Sequence, residues 1–347
     1  MSAPVALRAL DLDAAGDDQL RRVHAAIASD LGGRVPGDDP LPFEGWIAEE
    51  RKLDSFLDMV RVTAVDERTD DVLGYGRVEL DRHANTHVAW AWAVVAEARR
   101  RRGIGTALLR RLVEIGADDG RVSVGANADE DSAGAAFLAA SGLTRRNTAH
   151  QNRLRLTDVD GSLLDEWIAR APERASGYSL RAWDGPTPEE LVEAFAVCND
   201  VMNSAPRGDL DLEDERMTPE RLRTIEAGRV AIGTTWWTIC AIEDATGAFA
   251  GFTQMSFPRW RPKLAKQNDT GVDPAHREKG LARWLKATML RRLLDEKPEI
   301  EQVETWNAGS NAPMLAINHA LGFRRANVTG NWQADLDVVR KALEERS

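Results

Sequence analysis

The stretch that decides the fold is DPAHREKGLARWLKATML, residues 273–290. It places Arg277, Gly280 and Ala282 in the order R-x-x-G-x-A and continues with the pattern of an amphipathic helix. Residues 97–114, EARRRRGIGTALLRRLVE, repeat this arrangement with Arg100, Gly103 and a second glycine. A turn that opens directly into a helix presents unpaired N–H groups and a partial positive charge. The sequence therefore predicts two sites for a phosphate or pyrophosphate.

Better-known phosphate motifs do not explain these turns. Neither copy has the G-x-G-x-x-G of the dinucleotide-binding fold or the G-K-[ST] of a P-loop. A helix start with a convenient glycine is the alternative for each turn taken alone. The four consecutive arginines 99–102 fit either a phosphate site or a solvated helix start.

The rest of the chain is duplicated in the same order. ALRALD at 6–11 resembles SLRAWD at 179–184, and AASGLTRR at 139–146 resembles HALGFRRA at 319–326. Together with the two turns these pairs have offsets of 173, 177 and 180 residues. A slow drift of this kind is typical of two copies that have collected small insertions. We predict domains at 1–156 and 178–347, joined by a helical connector at 157–177 with Ser162 as its N-cap.

Both halves alternate strands with helices in a way that predicts an α/β fold with a mixed sheet. Each has a strand, a helical stretch, a two-stranded hairpin, a further strand, the turn with its helix, and then a strand, a helix and terminal strands. Residues 17–31 and 188–202 have the first helical patterns, and 264–272 is the strand before the second turn.

Composition restricts the class of protein. Hydrophobic residues make up 43% and charged residues 29% of the 347 residues, which is typical of a soluble globular protein. The net charge of -11 argues against a nucleic-acid partner. We see no secretion signal or apolar run of membrane-spanning length, and the cysteines Cys198 and Cys240 form no C-x-x-C pattern. We therefore expect a cytoplasmic monomer or homodimer without metal or membrane partner.

Four segments resemble the GNAT superfamily of acetyl-CoA-dependent N-acetyltransferases. They are VAEARRRRGIGTALL with ANADEDSAGAAFLAASGL in the first half, and VDPAHREKGLARWL with TWNAGSNAPMLAINHALGF in the second. The resemblance covers nearly the whole chain and implies two tandem GNAT-like domains. It also implies acetyl-CoA as cosubstrate and transfer of an acetyl group to a primary amine of a small molecule. The alternative is a catalytically silent CoA-binding sensor or scaffold.

The resemblance implies a set of cosubstrate-binding residues in each half. The strand ends would pair with the pantetheine arm, the turn amides would hold the pyrophosphate, and an asparagine would lie near the thiol. In the second half these residues are Val272, Arg277, Glu278, Lys279, Gly280, Leu281, Ala282, Arg283 and Asn311. In the first half they are Val95, Arg100, Arg102, Gly103, Ile104, Gly105 and Thr106, with Asn127 as a weaker counterpart of the asparagine.

The family's usual catalytic groups are missing at their expected positions. Ala89 and Lys266 stand where members often have a glutamate base, and Leu138 and Asn318 stand where they often have a tyrosine acid. A base matters because deprotonating an amine of pKa near 10.4 at pH 7 costs about 4.6 kcal/mol. The candidates that remain are Asp269 as base and Asn318 as a hydrogen-bond donor to sulfur, with His87 as the first-half candidate base.

We expect the second half to carry the chemistry. It combines the turn with a polar cluster, whereas the matching first-half stretches AWAWAVV and SAGAAFLAA are almost wholly apolar. The polar cluster consists of Gln267, Asp269, Thr270, Asn311 and Asn318.

Overall fold

The structure is a computed structural model, and it describes residues 5–31, 35, 38–51 and 54–346. The chain divides into two compact units. The first runs through Thr148 and adds Gly208–Glu213 and the residues from Asn327 onward, and the second comprises Ala149–Arg207 and Asp214–Ala326.

The first unit is a six-stranded mixed sheet with helices on both faces. Its strands are β1 (Val5–Ala9), β2 (Leu57–Asp66), β3 (Val72–Asp81), β4 (Val88–Val95), β5 (Ser123–Asp129) and β12 (Arg324–Asp335, from Asn327 onward). Its helices are α1 (Asp17–Leu31), α2 (Phe43–Glu50), α3 (Ile104–Asp118), α4 (Ala133–Ala140) and α11 (Leu336–Glu344). The strand order is β1-β2-β3-β4-β5-β12, and only the β4–β5 pair is parallel.

The second unit repeats this plan. Its strands are β6 (Thr144–Arg155, from Ala149 onward), β7 (Tyr178–Asp184), β8 (Thr235–Glu243), β9 (Phe249–Phe257), β10 (Leu264–Val272) and β11 (Gln302–Ala308). Its helices are α5 (Gly161–Ala169), α6 (Ala171–Arg174), α7 (Val192–Asn199), α8 (Pro219–Ala231), α9 (Leu281–Glu296) and α10 (Ala312–Ala320). The order is β7-β8-β9-β10-β11-β6, with β10–β11 as the parallel pair.

The sixth strand of each unit comes from the other half of the sequence. β6 follows the first copy in the chain, but it pairs with β11 from Ala149↔Ala308 to Arg155↔Gln302. β12 ends the second copy and pairs with β5 from Thr329↔Asp129 to Asp335↔Ser123. The compact units therefore differ at their ends from the predicted ranges 1–156 and 178–347, because long-range strand pairing has no local sequence signal.

Each sheet has an apolar core under the helix that follows its turn. In the first unit Leu108, Leu112 and Val113 of α3 are fully buried against the sheet, and in the second unit Leu285 and Leu290 of α9 are buried in the same way. Burial of this helix face fixes the position of the preceding turn, because the helix begins at the turn's glycine.

The connecting segment after β6 is helical, as predicted, but its cap differs from the prediction. Asp160, not Ser162, is the N-cap of α5, and its Oδ1 accepts from the amide N–H groups of Ser162 and Leu163. A carboxylate one residue outside the helix reaches these first N–H groups, which Ser162 inside the first turn cannot cap. Across the described ranges, no helix has both the length and the apolar character needed to cross a bilayer.

Candidate active site in the second unit

The central feature of the second unit is a cleft between two parallel strands. β10 pairs with β11 only from Leu264↔Gln302 to Lys266↔Glu304, so Gln267–Val272 leave that edge of β10 without a partner in the described sheet. A cavity of about 900 Å³ opens there. Its walls come from β10, β11, the turn before α9 and the start of α10. A ligand with its own N–H and C=O groups can pair with this free edge.

A β-bulge gives β10 a shape that β4 lacks. The register of β10 against β9 shifts between Gln267↔Met255 and Thr270↔Thr253, whereas β4 pairs with β3 without a shift. Asp269 lies in the bulge and lines the cleft. Counted back from the strand ends at Val272 and Val95, the first copy has Trp92 at the position of Asp269. Bulges re-aim side chains and are frequent beside active sites.

The environment of Asp269 makes it a stronger base than an ordinary aspartate. Its side chain has solvent-accessible surface facing the cavity, and protein atoms surround it on the other sides. Burial raises the pKa of Asp269, and the charge of Arg229 on α8 opposes that rise. The result is a carboxylate that holds a proton more readily than an ordinary aspartate.

The turn before α9 has the backbone expected of an anion site. Glu278 and Gly280 both have left-handed φ angles, of 65° and 78°. The amide N–H groups of Gly280, Leu281 and Ala282 have no acceptor within the described residues. A Cβ on Gly280 would meet only the Arg174 side chain, at 3.6 Å, so the space in front of the turn is open. An anion with several oxygens fits this arrangement.

Arg277 holds the turn to the end of β10. Its Nε donates to the carbonyl oxygen of Val272 over 3.1 Å, and a terminal nitrogen donates to Ser204 Oγ over 2.5 Å. The guanidinium thus joins the strand end, the turn and the segment after α7.

The lining of the cleft is more cationic than the acidic chain as a whole. The lysine and arginine side chains are Arg174, Lys266, Arg277, Arg283 and Lys286, and the carboxylates are Asp269, Glu278 and Glu304. This excess of basic over acidic side chains favours an anionic ligand. The side chain of Gln267 is a second group that can pair with a ligand, in addition to the free edge of β10. Its Oε1 lines the cleft without a hydrogen-bond partner among the described residues and can accept from a ligand N–H.

Most of the predicted second-half residues lie together around this cleft. Those that line it are Val272, Arg277, Glu278, Gly280, Leu281, Ala282, Arg283 and Asn311. Asn311 also caps α10, since its Oδ1 accepts from the Met314 amide over 3.3 Å. Lys279 does not line the cleft, because its Nζ donates to the Tyr178 hydroxyl over 2.6 Å.

Asn318 also lies outside the lining. It is fully buried, and its Nδ2 donates to Oδ1 of Asn307 over 2.7 Å. Asn307 does line the cleft. The structure therefore gives Asn318 a contact that positions Asn307, in place of the predicted contact with a sulfur atom, because the last turn of α10 buries residue 318.

The first unit has the same turn but a different neighbourhood. Arg101 and Gly103 have left-handed φ angles of 63° and 80°, matching the second copy. Nε of Arg100 donates to the Val95 carbonyl over 3.1 Å, again as in the second copy. A Cβ on Gly105 would contact Val95 and Phe137, so apolar side chains already border this turn.

Of the remaining first-half residues, Ile104 is buried in the core, Thr106 lies in the first turn of α3, and Arg102 is exposed beside the glycine. Ser132 caps α4 where Asn311 caps α10, so the predicted counterpart Asn127 is not the equivalent residue and lies on β5 instead. Nε2 of His87 donates to the Asp211 carbonyl over 3.3 Å.

A buried ion cluster fills the first unit on the α2 side of its sheet. Glu50 of α2 accepts from the Tyr75 hydroxyl over 2.9 Å, from Arg61 Nε over 2.8 Å and from Arg77 over 2.8 Å. Tyr75 packs edge-on against Trp92. Every acceptor of this carboxylate is used within the protein, so it is built for stability and not for proton transfer.

Two buried ionisable residues, Glu304 and Lys286, are among the cleft residues that were not predicted from the sequence. Glu304 accepts from Gln151 over 2.6 Å and from Arg153 over 2.8 Å. Lys286 lines the cleft with a side chain that is only 1% exposed. A signal for Lys286 did exist, because alignment of the two turns at their glycines places it opposite the core residue Leu109.

Comparison with known proteins agrees with this architecture. A sequence model of the acetyltransferase (GNAT) family matches residues 34–142. Mycothiol acetyltransferase from Sanguibacter keddieii is 32% identical over 267 residues, which are 75% of this chain and 77% of that protein. Mycothiol acetyltransferase from Clavibacter michiganensis subsp. michiganensis is 29% identical over 245 residues, or 68% and 69% of the two chains.

Solved structures extend the likeness to nearly the whole chain. A tandem GNAT protein from the clavulanic acid biosynthesis pathway, solved without AcCoA, has a TM-score of 0.78 at 27% identity. The match covers 96% of this chain and 99% of that one. A GCN5-related N-acetyltransferase from Sphaerobacter thermophilus shares the fold, with a TM-score of 0.66 at 16% identity, over 96% and 97% of the chains. The tandem α/β arrangement predicted from the duplicated turn, a layout similar to that of mycothiol synthase, is confirmed.

Proposed function

The chain belongs to the GNAT acetyltransferase family and is an N-acetyltransferase, and on that premise we propose that its second unit transfers the acetyl group of acetyl-CoA to a primary amine of a small molecule. One observation carries the proposal: the open cleft of the second unit has the anion-binding turn at one end and Asp269 on a bulge in its wall.

The cleft residues fit acetyl-CoA. The unpaired amides of Gly280, Leu281 and Ala282 would hold the pyrophosphate, with Arg277 and Arg283 adding positive charge. The free edge of β10 and the orphaned Oε1 of Gln267 would pair with the amide groups of the pantetheine arm. When bound, the thioester supplies an activated acetyl group.

Asp269 would take the proton that the acceptor nitrogen loses. Its raised pKa lies closer to the pKa of an amine than that of an ordinary aspartate does. Proton transfer from the amine to Asp269 is therefore less unfavourable. For an amine of pKa near 8, deprotonation at pH 7 costs only about 1.4 kcal/mol, and positioning alone then supplies much of the rate.

The first unit would contribute structure and not acetyl transfer. β4 has no bulge, Trp92 stands at the position of Asp269, and the only buried carboxylate of the adjoining cluster is fully paired. These features support a silent, CoA-binding role for this unit, while a silent role for the whole protein is the alternative that the following test addresses.

The test is release of free thiol from acetyl-CoA with a panel of small amines, combined with mass spectrometry of the acetylated product. The names of the relatives make mycothiol-related amines the first acceptors to include. We expect sustained turnover and a product about 42 Da heavier than the amine, which is the mass gain of N-acetylation. Tight CoA binding without turnover on any amine, thiol-bearing amines included, would support the silent alternative.

A further inference from the structure

Lys286 breaks the internal repeat at a core position. With the two turns aligned, α3 has Leu109 where α9 has Lys286. Both side chains are buried, at 2% and 1% relative exposure. A leucine at this helix position packs without cost, whereas a buried lysine must lose its hydration. The second copy therefore carries a costly residue at a site where the same fold accepts an apolar one.

The amine has no polar partner among the residues that the structure describes. Its only recorded interaction in the described ranges is with the ring of Phe323, whose centroid lies 5.8 Å from Nζ. Burial alone lowers the pKa of Lys286 to about 7. Because the residue lines the cleft, the partner that the protein does not provide can come from a ligand there.

The charged groups on the surrounding elements are engaged elsewhere. Glu304 on β11 pairs with Arg153, Asp165 on α5 pairs with Arg291, and Asp269 on β10 faces Arg229. The other titratable groups on these elements are Lys266 on β10, Glu166 on α5, Cys240 and Glu243 on β8, and His319 on α10. β9 carries none. None of these groups forms an ion pair with Lys286.

The place of Lys286 along the cleft indicates which part of a ligand it meets. α9 begins at the turn, and Lys286 follows Gly280 by six residues, or roughly 9 Å along the helix axis. Asp269 precedes the end of β10 at Val272 by three residues, or roughly 10 Å along the strand, so the two side chains lie at a similar depth from the turn. A cosubstrate held by its pyrophosphate at the turn extends its thioester end in this direction.

We propose that Lys286 is the proton donor to the sulfur of CoA, an inference that rests on the proposed function. The acceptor nitrogen forms a bond to the acetyl carbon and gives up one proton to Asp269. The carbon–sulfur bond breaks, and its electron pair goes to sulfur. The Lys286 ammonium transfers a proton to that sulfur and becomes a neutral amine. Both Asp269 and Lys286 then return to their starting states by proton exchange with solvent.

The energetics favour this direction of transfer. A thiol of pKa near 8.5 holds a proton more tightly than an ammonium of pKa about 7, so the transfer is downhill. The tyrosine expected from the family resemblance is absent from α10, and Asn318 donates to Asn307 and does not line the cleft. Lys286 thus provides an acid in place of that tyrosine.

The first experiment measures the bound thiol without any turnover. CoA is titrated by its thiolate absorbance in complex with the parent protein, with Lys286→Leu and with Lys341→Leu, an exposed lysine of α11 that serves as control. In the parent and the control, Lys286 and the thiol exchange one proton and titrate as a coupled pair, so the pH at which the thiolate appears should differ by about one unit or more from that of Lys286→Leu. Equal thiol pKa values in all three complexes would overturn the proposal.

The second experiment measures turnover. We expect Lys286→Leu to lower kcat by about 10²-fold while KM for acetyl-CoA stays within about twofold. Because the donor is the ammonium form, kcat of the parent should decline as pH rises above about 7, and this decline should be absent from the variant. An unchanged kcat, or the same alkaline decline in both proteins, would contradict the role of Lys286.

The two proposals fail in different ways. A parent protein that binds no CoA would refute acetyl-CoA as the cosubstrate and the role of Lys286 with it. A parent protein that turns over normally but shows no thiol shift would refute the role of Lys286 alone. The melting temperature of Lys286→Leu separates both results from loss of folding, and we expect it to rise because the residue of the first copy replaces a buried lysine.

Discussion

Arg277 and Val272 are joined by a hydrogen bond of 3.1 Å from Nε to the backbone carbonyl, and Arg100 and Val95 repeat that bond at 3.1 Å in the first unit. In each case the arginine ties the turn to the last residue of the preceding strand. The turn geometry is therefore a property of the repeat, and differences between the units must arise from what surrounds it.

Arg277→Gln should weaken CoA binding by about tenfold, the equivalent of roughly 1.4 kcal/mol. Glutamine cannot hold both the Val272 carbonyl and Ser204, so the turn amides lose their alignment with the strand edge. Isothermal titration with CoA measures the effect. Arg100→Gln is the matched control, since it removes the same bond from the first unit, and equal losses in the two variants would place a working CoA site in both.

Gly280→Ala should reduce CoA affinity more than it reduces stability. The left-handed φ of 78° costs a residue with a Cβ about 1–2 kcal/mol, and the new methyl group enters the space in front of the turn. Gly247→Ala is the control because Gly247 has a φ of 75° in the β8–β9 hairpin, away from the cleft.

The charge variants extend this prediction to activity. Gly280→Glu should abolish transfer, whereas Gly103→Glu should leave it, with both proteins folded by circular dichroism. The opposite pattern would assign the chemistry to the first unit.

Asp269→Asn should slow transfer most at pH values above the Asp269 pKa and below that of the acceptor amine. In this range the carboxylate is charged and the amine is still mostly protonated, so a base contributes most. The measurement is the pH profile of kcat/KM. Asp295→Asn is the control, because Asp295 is an exposed residue of α9. An unaltered profile would mean that the amine arrives deprotonated from solvent.

Asp269→Asn should slow transfer, but it should not lower the stability of the protein. A raised carboxyl pKa means that the native state holds the proton more tightly than the unfolded chain, so the charged form lowers stability as pH rises through that pKa. The neutral asparagine removes this penalty. The melting temperature at pH 7 should stay the same or rise, and a marked fall would show that Asp269 has a structural role.

Lys286→Leu should stabilise the protein in a pH-dependent way. The native pKa of about 7 lies below the usual 10.5, so the unfolded chain binds the proton more tightly and the lysine costs stability below pH 7. The cost amounts to on the order of 5 kcal/mol and shrinks as pH rises from about 7 to 10.5. Urea unfolding of both proteins at pH 6 and pH 9.5 should show the larger gain at pH 6.

Glu50→Ala should destabilise the first unit by about 3–5 kcal/mol, because it leaves Arg61 and Arg77 without their shared buried partner. Asp70→Asn is the control, since Asp70 is half exposed in its pair with Arg8 and should change stability by about 0.5 kcal/mol or less. CoA binding by the second unit should be unaffected at temperatures where the Glu50→Ala protein remains folded.

The sequence by itself determined the local structure. Helical periodicity predicted α1 at 17–31, and the order of elements before the second turn predicted β10 at 264–272, because these signals depend on neighbouring residues. The turn was determined for the same reason, since Gly280 and its neighbours set their own backbone angles and leave the next amides unpaired.

Only the tertiary structure decided which strands complete each sheet and what the cleft contains. The pairing of β6 with β11 depends on residues about 150 positions apart, and no local signal specifies it. The bulge at Asp269 exists only in the register between β9 and β10. The packing of α10 determines which way Asn318 faces, and the packing of α9 buries Lys286 without a polar partner among the described residues. Burial and the lack of a partner depend on the surroundings of a residue and not on the residue itself.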